Sequence, residues 1–243
     1  MLNSQSFLDT FSAIEKWLRQ QAGATDRHAS FYNLVEAASA ANPAVRRFRD
    51  ELKEFADLRN AIVHERTDGR VIAEPNDRAV ADFEQIRLAL MKPATVIPLF
   101  QRTVRTRDVT NSICSAVCDM REGAFSQLPI LSNGTFVALL TSETVVRWLA
   151  SEVSNDLVSL LETQIESVLP HTEDDENVCF LPRRATLHEA VNHFESFAAR
   201  GKNLDAILIT EGGRADQSIL GILTVYDLPV LLESIRLRRS LSP

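Results

Sequence analysis

The sequence predicts an α+β chain in which an α-helical bundle of four helices is followed by two copies of a β-α-β-β-α unit. Two observations carry this. The stretch Ser218-Ile219-Leu220-Gly221-Ile222-Leu223-Thr224-Val225-Tyr226-Asp227-Leu228 has a blurred upstream copy, Thr135-Phe136-Val137-Ala138-Leu139-Leu140-Thr141-Ser142-Glu143-Thr144-Val145. Ahead of both, apolar residues recur at helical spacing in four segments. Each copy reads as an aliphatic strand that stops at a threonine and passes into a helix, because Thr is a good N-cap and polar residues fill the first turn.

In chain order, Phe7, Phe11, Ile14 and Leu18 keep one face of a helix from about Ser6 to Gln21, ended by Ala22-Gly23. Phe31, Leu34, Val35 and Ala38 mark a second, stopped by Asn42-Pro43. The third carries Val45, Phe48, Leu52, Phe55, Ile62 and Val63 and is expected to end at Asp68-Gly69. Asn76-Asp77 caps a fourth, with Ala79, Phe83, Ile86 and Leu90 inward, before Pro93. Pro93 and Pro98 stiffen a linker into the duplicated region. There, Thr186-Leu187 and Asp108-Val109 read as equivalent helix starts, and Ile130 and Ile207 as equivalent strand positions. Gly212 to Gln217 is a hairpin insertion where the first copy has Asn133-Gly134, and Val178-Cys179-Phe180 is a short extended segment. Between the copies, Leu157, Leu160, Leu161, Ile165 and Val168 give an extra helix ahead of Pro170. The expected domains are 1–93 (helical), 94–153 (first unit), 154–177 (helical linker) and 178–243 (second unit).

With 243 residues, 45% hydrophobic and 24% charged, the chain has material for two modest cores. No apolar run approaches the roughly 20 residues that span a bilayer, and the N-terminus lacks a signal-peptide pattern, so no membrane is expected and a cytoplasmic location is. The formal net charge of −7 argues against general nucleic-acid coating. Three cysteines without a C-x-x-C read as buried free thiols. No metal is expected: Glu173-Asp174-Asp175-Glu176 lacks the alternation and glycine of a calcium loop, and His171, His188 and His193 lack zincin spacing.

The strand, hairpin and G-I-L-T-x-x-D-L helix start at Gly221 to Leu228 resemble a CBS domain, and the duplication resembles a tandem CBS pair over roughly Thr95 to Ile235. That resemblance implies an adenine-containing regulatory ligand such as AMP, ADP or ATP, bound between the two halves. Thr224 and Asp227 are the candidate ligand contacts: a carboxylate can accept from both ribose hydroxyls, and a threonine hydroxyl at a helix start can meet a phosphate. Arg183, Arg184 and Thr186 are further candidates on the second half. T-x-x-D is also close to a capping box, which accounts for Thr224 and Asp227 with no ligand. In the first copy Thr144 stands where Asp227 stands and Ala138 where Gly221 stands, so at most one site of the usual type is expected.

Within the third helix, Arg59, Asn60 and His64 break the apolar rhythm. This Arg-Asn-x-x-x-His segment late in a helical bundle resembles the HEPN family, over about residues 4 to 92, whose catalytic members are metal-independent ribonucleases acting as dimers. The resemblance puts Arg59 and His64 on the scissile phosphodiester, with Asn60 as the polar neighbour. An arginine fork can neutralise phosphate charge and a histidine can move the proton. Equally, Arg59 can pair with a neighbouring acid, and His64 can face the helix dipole. Arg46, Arg47 and Arg49 form a basic cluster that reads as a solvated face or an RNA guide. The whole reads as a homodimeric sensor of an adenine nucleotide that relays to the HEPN-like domain. A nucleotide-gated ribonuclease and a ligand-free dimerisation scaffold are the alternatives. Trp148, Leu149, Leu231 and Leu232 are the expected dimer surface.

Overall fold

A computed structural model of the chain describes residues 3–23, 28–64, 66–67, 70–71, 74–152, 158–172 and 177–236. They form two compact units: residues 1–94 with 186–189 and 231–243, and residues 95–185 with 190–230.

In the first unit, α1 (Asn3–Gln21), α2 (Phe31–Ala41), α3 (Pro43–Arg47), α4 (Arg49–His64) and α5 (Asp77–Met91) surround one apolar core. Phenylalanines build its centre, with Phe11 stacked on Phe31 and Phe55 on Phe83, each pair 4.4 Å between centroids. The helix starts follow from capping chemistry: Ser30 accepts from the Asn33 N–H, Asn42 from Ala44 and Val45, and Asn76 from Ala79.

The expected third helix is divided into α3 and α4 at Phe48 (φ −100°, ψ 16°). Hydrogen bonds from Phe48 N to Ala44 O and from Leu52 N to Phe48 O continue across the division, so the chain kinks as it buries the Phe48 ring. The helix also ends early, at His64. Arg66–Thr67 (β1) then pairs antiparallel with Arg70–Val71 (β2); Asp68-Gly69, the expected helix end, lies outside the described residues.

The second unit opens with a short helix, α6 (Val96–Leu99). The expected stiff linker is largely interior: Val96, Ile97 and Phe100 are buried. The repeat follows as β3 (Arg107–Asp108), α7 (Ile113–Gly123), β4 (Gln127–Ser132), β5 (Thr135–Thr141) and α8 (Ser142–Glu152). After α9 (Ile165–Val168) it recurs as β6 (Val178–Pro182), α10 (Leu187–Ala199), β7 (Ala206–Thr210), β8 (Ile219–Leu223), a 3₁₀ turn (Val225–Asp227) and α11 (Leu228–Ile235). The sheets are β3-β4-β5 and β6-β7-β8, each with its first pair parallel and its second antiparallel.

The register corrects the expected alignment of the copies. Ile130 pairs with Ala138 and Ile209 with Gly221, and each ladder shifts register directly after that pair. Ile130 therefore corresponds to Ile209, not Ile207. Asp108 is not the helix cap either. Its carboxylate takes the Thr110 N–H and hydroxyl in a local turn, and Ser112 caps α7. Ser112, not Asp108, is thus the counterpart of Thr186.

The expected inter-repeat helix shortens to α9 because its upstream backbone bonds elsewhere. Ile113 N donates to Thr163 O, while Ile165 N and Glu166 N donate to Asn111 O and Val109 O. Residues 155–157 of that expectation, and the acidic run at 173–176, lie outside the described residues. The hairpin insertion holds itself together: the Gln217 carboxamide oxygen accepts from Gly212 N and Thr210 Oγ1, and Arg214 N donates to Thr210 Oγ1. The shorter turn uses Asn133 and Gly134 at positive φ, 50° and 82°.

Candidate functional site

The site grows from the end of β8. Gly221 lies against the Phe100 carbonyl, where any Cβ would collide with that oxygen. The absence of a side chain lets Phe100-Gln101-Arg102 run beside the strand, tied by Arg102 N–H to Leu220 O at 3.2 Å. Past the strand, the Asp227 carboxylate reaches back to the Thr224 N–H (2.8 Å) and hydroxyl (3.3 Å), forming the capping box. A third donor, Arg102 Nη2, sits 2.9 Å from the same carboxylate oxygen and also bonds the Ile222 carbonyl. The pair is partly open: the Arg102 side chain is 45% exposed and that of Asp227 18%.

The same junction in the first copy has no carboxylate at the capping position; Glu143, in the first turn of α8, pairs with Arg147 instead. Thr141 Oγ1 accepts from Thr144 N at 3.1 Å and lies 3.0 Å from the Thr144 hydroxyl, with Thr144 only 2% exposed.

Thr224 and Asp227 are therefore in direct contact, whereas the other expected ligand residues are engaged elsewhere. Thr186 closes a second capping box, its N–H and hydroxyl 2.6 and 2.9 Å from one Glu189 carboxylate oxygen. Arg183 pairs with Glu211 at 3.0 Å, and Arg184 is exposed. Arg102 was not among the expected residues. It is 125 positions from Asp227, and no periodicity links an arginine ahead of the first copy to an aspartate in the second.

On the helical unit, Arg59 is half-buried, its guanidinium 5.7 Å from the Phe11 ring centroid and Nη1 3.3 Å from Asn60 Oδ1. Asn60 is exposed; His64 is the last residue of α4, and its side chain lies outside the described residues. The nearby arginine cluster is broken up. Arg46 bonds the Ser39 and Ala40 carbonyls at the end of α2, and Arg49 pairs with Asp50. Arg47 and burial hold the His188 pKa down at about 4, with burial the larger cause; the His188 ring meets Phe48 edge-on at 5.7 Å.

Cys114, Cys118 and Cys179 are free and half-buried, and burial pushes the Cys179 thiol up to about 12. Trp148 and Leu231, expected on a dimer surface, are buried instead. Among the described residues no group of three His, Cys, Asp or Glu side chains could hold a metal ion, and no helix is long and apolar enough to cross a membrane.

No protein-family model and no curated protein matches the chain. Solved structures do. A candidate acetoin utilization protein (AcuB) from Vibrio cholerae is 16% identical, matched over 62% of this chain and 99% of its own, with a TM-score of 0.46. The CBS domain pair of protein MJ0100, in complex with 5′-methylthioadenosine and S-adenosyl-L-methionine, is 15% identical over 59% of this chain and 99% of its own, at 0.42. CBSX2 in complex with AMP is 14% identical over 59% and 99%, also at 0.42.

Proposed function

We propose that residues 94–243 are a CBS pair that senses an adenine-containing nucleotide (AMP, ADP, ATP or a related compound) in its second half and relays occupancy to a HEPN-like helical domain at residues 1–93. The observation that carries this is the asymmetric duplication: two β-α-β-β-α units of one topology, of which the second alone caps its strand–helix junction with a carboxylate. Asp227 would accept from the ribose hydroxyls, with Thr224 toward the phosphate. Arg183, Arg184 and Thr186 are secondary contacts, available to a phosphate only by leaving their present partners or, for Arg184, from the surface. The ligand class is the one the family resemblance implies. Mass spectrometry of small molecules released from the denatured protein tests it: an adenine nucleotide is expected, and none after purification from nucleotide-rich lysate favours a ligand-free scaffold.

The chain acts as a cytoplasmic homodimer in this reading. With Trp148 and Leu231 in cores, the surface for a second copy moves to Val146 and Leu149 on α8, to Tyr226 in the turn ahead of α11 and to Val230 on α11, all exposed. Sedimentation at the 27.1 kDa of one chain at all concentrations would oppose it. Arg59, resting on Phe11 and Asn60, supports a structural or partner-binding role for the Arg59-Asn60-His64 segment over ribonuclease chemistry. RNA cleavage without divalent metal that both Arg59→Ala and His64→Ala abolish would reverse that preference.

A further inference from the structure

We propose that Phe100-Gln101-Arg102 is a ligand-displaced strap: Arg102 occupies the carboxylate that a ribose diol takes, and a nucleotide at Asp227 expels it. This rests on the nucleotide reading of Asp227 given above.

Three donors converge on Asp227 Oδ2: the Thr224 N–H, the Thr224 hydroxyl and the Arg102 guanidinium. A carboxylate offers about four acceptor positions over its two oxygens, two on each, so three donors already crowd Oδ2. A diol that engages both oxygens must remove one of the three. The Thr224 groups are fixed by the backbone turn that starts α11. Arg102 sits on a long, half-exposed side chain and is the donor free to leave.

The guanidinium is also one of three points holding the strap to β8, with the Arg102 N–H on Leu220 O and the Phe100 carbonyl packed on Gly221. Losing it leaves Arg102 N–H on a single backbone bond of 3.2 Å. The first copy lacks the carboxylate part of this device, since its junction is the part-buried Thr141–Thr144 hydroxyl pair. A ligand is thereby read out as local opening of the segment that leads out of the helical domain in the sequence.

The test is amide hydrogen exchange at Arg102 in the full chain, with AMP and adenosine affinities for the parent, Asp227→Ala and Arg102→Gln. Saturating AMP is expected to raise Arg102 exchange roughly 2- to 5-fold, the size of effect a partly exposed ion pair has. Asp227→Asn without ligand should do the same, because Asn can still cap Thr224 but lacks the charge. Arg102→Gln should bind adenosine, which has no phosphate to complicate the comparison, roughly 2- to 5-fold more tightly than the parent. Unchanged exchange with AMP bound, or unchanged or weaker adenosine binding by Arg102→Gln, overturns the strap alone if Asp227→Ala still weakens AMP. If Asp227→Ala binds AMP as the parent does, the nucleotide reading and the strap fall together.

Discussion

The two strand–helix junctions of the duplicated unit share a backbone plan and differ in charge. At Thr141–Thr144 two part-buried hydroxyls bond each other; at Thr224–Asp227 a carboxylate caps the turn and keeps an arginine within reach. Gly221 cannot carry the Cβ that Ala138 carries at the paired position of the first copy, because the Phe100 carbonyl lies directly against it. Duplication supplies the frame, and the substitutions decide which half has ligand chemistry. A neutral cap loses less hydration on burial than a carboxylate, and its own hydrogen bonds offset that loss. A partly exposed carboxylate gives up some of that economy and remains able to exchange partners.

The largest test of the shared frame is Trp148→Ala. Trp148 and Leu231 hold equivalent buried places in α8 and α11, so truncating Trp148 should destabilise the chain by about 3 to 5 kcal/mol in denaturant unfolding. A surface tryptophan would cost far less and would restore it to a dimer face.

The first turns of α7 and α10 offer a second contrast, since only α10 buries a histidine. The His188 pKa of about 4 lies below the 6.5 of an exposed imidazole, so the folded chain binds fewer protons there than the unfolded chain. Its contribution is complete above pH 6.5 and is lost as pH falls from 6.5 toward 4, by on the order of 3 kcal/mol. Unfolding of the parent minus that of His188→Gln across this window should show the loss; parallel curves would mean the ring is solvated.

Gly221→Ala and Ala138→Gly test the strands directly. The first forces a methyl onto the Phe100 carbonyl and should cost about 1 to 3 kcal/mol; the second should cost about 0.5 to 1 kcal/mol, through backbone entropy alone. Equal costs in thermal unfolding would remove the close approach that distinguishes β8. The smallest effect is expected from Thr144→Val, about 0.5 to 1.5 kcal/mol for the lost hydroxyl pair. Nucleotide affinity should not change.

Much of this frame was legible in the sequence because it rests on periodicity and local chemistry. The apolar faces of α1, α2 and α5, the turn at Asn133-Gly134 and the T-x-x-D junction are all short-range signals. The alignment of the copies slipped where side chains bond locally instead of capping. Asp108 engages Thr110, and the equal bulges after Ile130 and Ile209 reveal a register that hydrophobic runs cannot fix. The inter-repeat helix shortens because its backbone bonds to the turn after β3, and of its expected apolar residues Ile165 and Val168 are buried while Leu160 and Leu161 are exposed. Arg102 was invisible for a third reason: its partnership is purely tertiary.

The most direct measurement is a calorimetric titration of the parent, Asp227→Ala and Thr144→Val with a panel of AMP, ADP, ATP and S-adenosylmethionine. The asymmetry of the two junctions predicts one site per chain, weakened in Asp227→Ala by about 1.5 to 3 kcal/mol, or roughly 10- to 150-fold, and unaltered in Thr144→Val. Two equal sites per chain, binding indifferent to Asp227→Ala, or no binding by the parent to any member of the panel would contradict it.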